Sequence, residues 1–251
     1  MKFRLFFTAL LLSLVCFQSV FAQNRIIKIA TLDWQPYVDK NSDNKGFTAE
    51  IVTRAFQQSG YQVEIDFMPW SRVLKEVEIG NYDAMFPSYE SPQRRKKYLF
   101  SKPFAHSPLV LFQRQGLNLT FNKLEDLKPY KIGVVRGYVN TKAFDAASFL
   151  NKKETKNDLQ NIKKLVKNRI DLAVIDKYAA LDLIKQHKIK KADKLSFIEA
   201  PLENKPLYLC VSKKIKDSSV ILEAFQKGLD QLKESGEVEK IINKQLNKTH
   251  P

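Results

Sequence analysis

Ile26-Ile27-Lys28-Ile29-Ala30-Thr31-Leu32, residues 26–32, is an alternating, β-branched run broken at once by Asp33-Trp34-Gln35-Pro36-Tyr37. Such a run predicts a strand that ends in an aromatic turn. Downstream, Thr48 to Gly60 spaces Ile51, Val52, Ala55 and Phe56 along one face of a helix, with Thr48 as its expected N-cap and Gly60 as its stop. Val63 to Phe67 alternates again, Trp70 to Gly80 places Val73, Leu74 and Val77 on one helical face, and Asp83 to Phe86 makes a short third strand. The order strand-helix-strand-helix-strand predicts a parallel sheet in an α/β domain.

The pattern then restarts. Leu109 to Gln113 reads as a strand, as does Lys131 to Val135, which is closed by Arg136-Gly137. Asn140 to Leu150 and Leu159 to Lys167 read as helices, Leu172 to Ile175 as a strand, and Lys177 to Gln186 as a helix. Tyr208 to Ser212 gives one more strand, followed by helices over Ser219 to Lys233 and Glu237 to Leu246, separated by Gly236. Two α/β lobes are predicted, with residues 23–112 plus 208–251 as lobe one and 113–207 as lobe two. No low-complexity linker lies between them, so the extended runs near Phe112 and Leu209 are the expected joints, and a double crossing makes a hinge.

Composition narrows the function. With 44% hydrophobic and 27% charged residues the chain is that of a folded protein, which excludes wholesale disorder. Lys2 and Arg4 precede an apolar run from Leu5 to Phe17, and Val20 and Ala22 are the small residues of a cleavage site, so export with cleavage after Ala22 is expected. The run is too short to span a bilayer, and Val15 sits where a lipobox before Cys16 would need a small residue. Export leaves Cys210 as a lone thiol inside an apolar run, hence a buried small hydrophobe. His106, His187 and His250 share no ligand spacing, which argues against a metal site. The net charge of +15, of which Lys2 and Arg4 leave with the signal, suggests nucleic acid, but export removes that partner and no interleaved aromatic and basic pattern supports it. A lysine-rich solvated surface is the simpler reading.

Several blocks together carry a resemblance. Trp34-Gln35-Pro36-Tyr37 is similar to an aromatic-x-Pro-aromatic turn, and Gly46-Phe47-Thr48-Ala49-Glu50-Ile51 to a Gly-Phe-Asp-x-Asp helix entry with its first Asp replaced. Pro92-Gln93-Arg94-Arg95-Lys96-Lys97-Tyr98-Leu99-Phe100-Ser101-Lys102-Pro103-Phe104 resembles a Pro-Glu-Arg-x-Lys-x-x-Asp-Phe-Ser-x-Pro-Tyr signature. Residues 131–137, 169–176 and 234–237 resemble, in order, a second-lobe opening, a Gly-Arg-x-Asp-Ala block and a terminal helix pair. Through these the chain resembles bacterial periplasmic solute-binding proteins of the polar amino-acid ABC transporter type (family 3), over nearly all of residues 23–246.

The resemblance implies the two-lobed type II periplasmic binding fold, in which each lobe is a sheet flanked by helices. It further implies a monomeric, cofactor-free, non-enzymatic periplasmic protein that closes on a small polar, amino-acid-like solute and delivers it to an inner-membrane ABC permease. It assigns Arg94 to the ligand carboxylate and Asp176 to its ammonium, one from each lobe, with Trp34, Tyr37 and Trp70 as aromatic walls and Ser88, Ser91 and Tyr138 as further contacts. An amino acid pairs a carboxylate with an ammonium, so a forked cation facing a carboxylate is the chemistry required. Alternatives stay open. Counted forward from Asp83-Ala84 the matching arginine is Arg95 rather than Arg94; Asp176 also suits a helix N-cap; and Tyr138-Val139 stand where the family commonly has two threonines. A ligand-presenting partner of a membrane sensor competes with the permease reading. A dehydratase-like enzyme on the same fold would need a general acid, for which Glu90 is the candidate.

Overall fold

The computed structural model describes residues 25–114, 116–117, 119–198 and 201–249; the export segment, its cleavage after Ala22 and His250 lie outside them. Strand β1 (Ile26–Thr31) forms where the alternation was read, and helix α1 (Phe47–Gln58) follows. Then come β2 (Gln62–Phe67), α2 (Trp70–Glu78), β3 (Ala84–Ser88), the short helix α3 (Pro92–Lys97), β4 (Tyr98–Phe100) and β5 (Ala105–Arg114). The second half runs β6 (Lys131–Val135), α4 (Lys142–Ala146), β7 (Asn151–Thr155), α5 (Asp158–Val166), β8 (Leu172–Asp176), α6 (Lys177–Gln186) and β9 (Leu195–Phe197). Strand β10 (Glu203–Ser212) and helices α7 (Ser218–Glu234) and α8 (Glu237–Thr249) complete it.

The strand order is β2-β1-β3-β10-β5-β8-β6-β7, with β4 on β10 and β9 on β5. The expected parallel pairings occur, β1 with β2 and β3, and β6 with β7 and β8. Strand β10 serves both lobes: residues 203–207 pair antiparallel with β5, whereas its later residues pair with β3 and β4. Apolar clusters cover both faces of each half of this path, one built on Ile29, Phe56 and Phe225 and another on Leu111, Ile132 and Phe144. Leu109 to Phe112 of β5 pack within the second lobe's clusters. No described helix is long and apolar enough to cross a membrane. Cys210 is fully buried and its thiol is pushed up to about 12 by that burial.

Three local expectations are corrected. Thr48 does not cap α1: its hydroxyl donates to the Tyr37 carbonyl (2.7 Å), and Gly46 occupies the N-cap without a side-chain bond. The helix expected over 140–150 shrinks to Lys142–Ala146, and residues 151–155 form β7 instead. Asn-Lys-Lys-Glu-Thr has no apolar alternation because it is an edge strand, where lysines also discourage pairing with other chains. The strand expected at Tyr208 begins earlier, at Glu203.

Helix α7 lies tightly on α1 because position 228 has no side chain. A Cβ on Gly228 would fall 1.8 Å from the Ala55 carbonyl oxygen. Gly228→Ala is therefore expected to destabilise by about 1–3 kcal/mol, although alanine is the better helix former. Urea unfolding measures this, and an unchanged midpoint would contradict the close packing.

Candidate functional site

Arg94 is where the two halves meet around a cavity. Ser91 caps α3, its hydroxyl accepting from the Arg94 N–H (3.2 Å), with Pro92 at the first helical position. That single helical turn directs residue 94 inward and residue 95 outward. Arg94 is 7% exposed, whereas the Arg95 side chain is exposed and donates to Glu90. One Arg94 nitrogen, Nη1, donates to the Ser88 hydroxyl (3.0 Å) and the Tyr89 carbonyl (2.7 Å). The other, Nη2, reaches across to the Gly137 carbonyl (3.0 Å), and the guanidinium lies over the Trp70 ring, 5.1 Å from its centroid. Trp70 Nε1 donates to the same Gly137 carbonyl (3.2 Å).

Gly137 has a φ of +78°, a backbone conformation that glycine adopts without strain and that forms the turn after β6. Among the described residues no carboxylate pairs with Arg94. Burial lowers its pKa, yet an arginine stays charged in proteins. The site therefore holds a buried cation without an anion.

The cavity is narrow, with about 30 Å³ of interior room, or about 300 Å³ when all the space up to its open mouth is counted. Trp34, Trp70, Arg94 and Tyr138 line it, joined by Leu32, Pro87, Tyr89 and Val139. The other four expected residues stand behind these walls. Ser88 and Ser91 hold Arg94 and its helix, as just described. Tyr37 stacks under Trp34 (centroids 4.4 Å apart, 20° between planes) and donates its hydroxyl to Asp176 (2.9 Å) across the lobes.

Asp176 ends β8, caps α6 by accepting the Ala179 N–H (2.7 Å), and is 2% exposed. Its Oδ2 also accepts the Ser107 hydroxyl (2.6 Å). Ser107 spends its only hydrogen there, so Tyr89 donates to Ser107 and completes a buried chain of hydroxyls. Burial pushes the Asp176 carboxyl up to about 6 against the hydrogen bonds it receives.

Asp158, which the sequence reading did not single out, is 5% exposed at the start of α5. Burial first, then the nearby Asp176 charge, pushes its carboxyl up to about 7, while a Tyr138 hydroxyl bond works the other way. Glu90, the candidate general acid, has its pKa lowered by the Arg95 hydrogen bond. That is opposite to what a proton donor near neutral pH requires.

A two-lobed α/β chain closed over a small, aromatic-walled cavity with a buried cation is built to enclose a solute. The chain belongs to the bacterial extracellular solute-binding proteins, family 3, whose model matches residues 27–248. The arginine-binding extracellular protein ArtP of Bacillus subtilis (strain 168) is 22% identical over 227 residues, covering 88% of this chain and 86% of that protein. Two solved structures share the fold. One is a histidine kinase sensor domain with similarity to periplasmic binding proteins (TM-score 0.78, 20% identity, 89% of this chain and 96% of that one). The other is an ancestral arginine-binding protein bound to arginine (TM-score 0.73, 24% identity, 87% and 97%).

The two raised carboxyls make a stability prediction. Between about pH 4 and pH 7 the folded chain keeps protons that the unfolded chain has released. Stability without ligand is then highest on the acid side and falls as pH rises through this window, by up to about 1.4 kcal/mol per pH unit for each carboxyl. Asp158→Asn is expected to flatten the fall in melting temperature between pH 5 and pH 8. Equal slopes in the two proteins would contradict the assignment.

Proposed function

We propose that the chain works in the periplasm, where it closes on an amino-acid solute and passes it to an inner-membrane ABC permease. The observation that carries this is Arg94. A buried guanidinium held by neutral groups, with no acid beside it, is completed by a ligand carboxylate, which would form a charge-assisted pair in a site shielded from water. Trp34, Trp70 and Tyr138 supply the apolar walls that such a cleft uses to bury the rest of a small ligand. Ser88 and Ser91 position Arg94, and Tyr37 and Asp176 latch the lobes behind it, so closure and binding reinforce each other. The arginine bound by relatives is consistent with an amino-acid ligand here. The chain acts as a binder, the role its family describes, and the candidate general acid Glu90 is held down by Arg95.

A second reading is favoured by the sensor-domain neighbour: the loaded chain signals to a membrane receptor instead of a permease. Deleting the gene separates them, because loss of uptake supports transport and loss of an amino-acid-dependent transcript with uptake intact supports sensing.

The chain from residue 23, refolded to strip carried ligand, is the material for a thermal-shift screen of the twenty proteinogenic amino acids. An amino acid at 100 times its Kd is expected to stabilise by about 2.7 kcal/mol, or roughly 5–10 °C at this size. Arg94→Ala is expected to abolish the rise and Arg95→Ala to preserve it. Silence of the wild-type protein across the set would overturn the amino-acid reading.

A further inference from the structure

A second cavity adjoins the first and shares two of its walls, Trp34 and Tyr138. Gln35, Asp158 and His187 also line it. Three buried atoms on these walls lack any hydrogen-bond partner: Asp158 Oδ1, Gln35 Oε1 and Trp34 Nε1. Buried polar atoms are almost always paired, and leaving them unpaired is costly, so unpaired ones clustered around a cavity mark a place where a bound group completes them. Two of the three are acceptors on opposite lobes, which asks for a donor-rich, cationic group.

The geometry points to Asp158, rather than Asp176, as the residue that receives a cationic nitrogen of the bound amino acid. This rests on the amino-acid reading above and deepens it. A carboxylate offers about four acceptor positions. Asp176 has filled most of them, with the Tyr37 and Ser107 hydroxyls on Oδ2 and the Ala179 N–H on Oδ1. It caps a helix and latches the lobes, and little capacity remains for an ammonium. Asp158, by contrast, has a buried Oδ1 with no hydrogen-bond partner. Tyr138 links the two ends of the site: it lines the Arg94 cavity and also the second cavity, which Asp158 lines with it. A zwitterion with its carboxylate on Arg94 would thus meet an acid along the same wall. A cation there would also favour the charged form of a carboxyl that burial otherwise pushes towards protonation.

The test compares wild type, Asp158→Asn and Asp176→Asn by calorimetry, with each proteinogenic L-amino acid and with acetate and propionate as carboxylates lacking a cation. Asp158→Asn is expected to weaken amino acids on the order of 30-fold or more, the usual loss for removing one partner of a buried charge pair, and to leave the simple carboxylates unchanged. Loss for every amino acid that binds identifies the α-ammonium as the group on Asp158; loss confined to arginine and lysine identifies a side-chain cation. Both support the assignment. Equal amino-acid affinity in wild type and Asp158→Asn overturns it, as does an equal loss for acetate and propionate, while wild-type binding keeps the broader reading intact. No wild-type binding of any amino acid overturns both. Asp158→Glu, which keeps the charge and moves it by one methylene, guards against a folding defect: it is expected to recover part of the affinity lost in the Asn variant, and a Glu variant no better than Asn overturns the charge assignment.

Discussion

The cleft depends on one buried cation that no described carboxylate pairs, Arg94, whereas Lys205, equally buried, pairs with Glu203. Arg94 would be expensive in an apolar cleft if its donors were unmet, and three oxygens bond to its two terminal nitrogens: the Ser88 hydroxyl, the Tyr89 carbonyl and the Gly137 carbonyl. The first two belong to its own lobe and the third to the other. Holding the guanidinium in place therefore also holds the lobes together, while its charge stays unbalanced. Neutral oxygens satisfy geometry without neutralising charge, and this leaves the arginine ready for an anion.

The same economy of contacts recurs across the cleft. Trp70 shares the Gly137 carbonyl with Arg94, and the Tyr37 hydroxyl reaches Asp176 from the turn after β1. Each is a single hydrogen bond, worth on the order of 1 kcal/mol net and somewhat more to the charged group. Latches of this size are strong enough to define a closed arrangement and weak enough to be released. Two crossings, β5 and β10, restrict that release to a hinge motion, since paired strands bend together more readily than they slide.

Much of the architecture was legible because buried strands and amphipathic helices write their period into the sequence. Strands formed over residues 26–31, one residue short of the expected run, and over 63–67 and 131–135, and 177–186 formed a helix with the expected bounds. What escaped notice was what the core does not dictate. Strand β7 is polar because it lies at an edge, and the first half of β10 carries Lys205 and Pro206, which break alternation. The site was legible in a similar way. Arg94 sits in a run of four cations, and only the surrounding signature distinguished it from a solvated face; its inward turn comes from the Ser91 cap and one helical turn. Asp158 was hidden because Asn157-Asp158 before a helix looks like ordinary capping, and only the fold brings it to the cavity that Tyr138 also lines. Asp176 showed its capping role in the sequence, but not the two hydroxyls that bond its Oδ2.

The central claim is that Arg94 awaits a carboxylate. The most direct measurement is an NMR spectrum of the arginine Nε–H groups, with the Arg94 signal assigned from an Arg94→Lys variant, recorded before and after the amino acid that raises the melting temperature is added. The account predicts a marked downfield shift of the Arg94 signal, as expected for a new charge-assisted bond to a carboxylate, with the exposed arginine signals unmoved. An unmoved Arg94 signal under saturating amino acid would place the carboxylate elsewhere and contradict it.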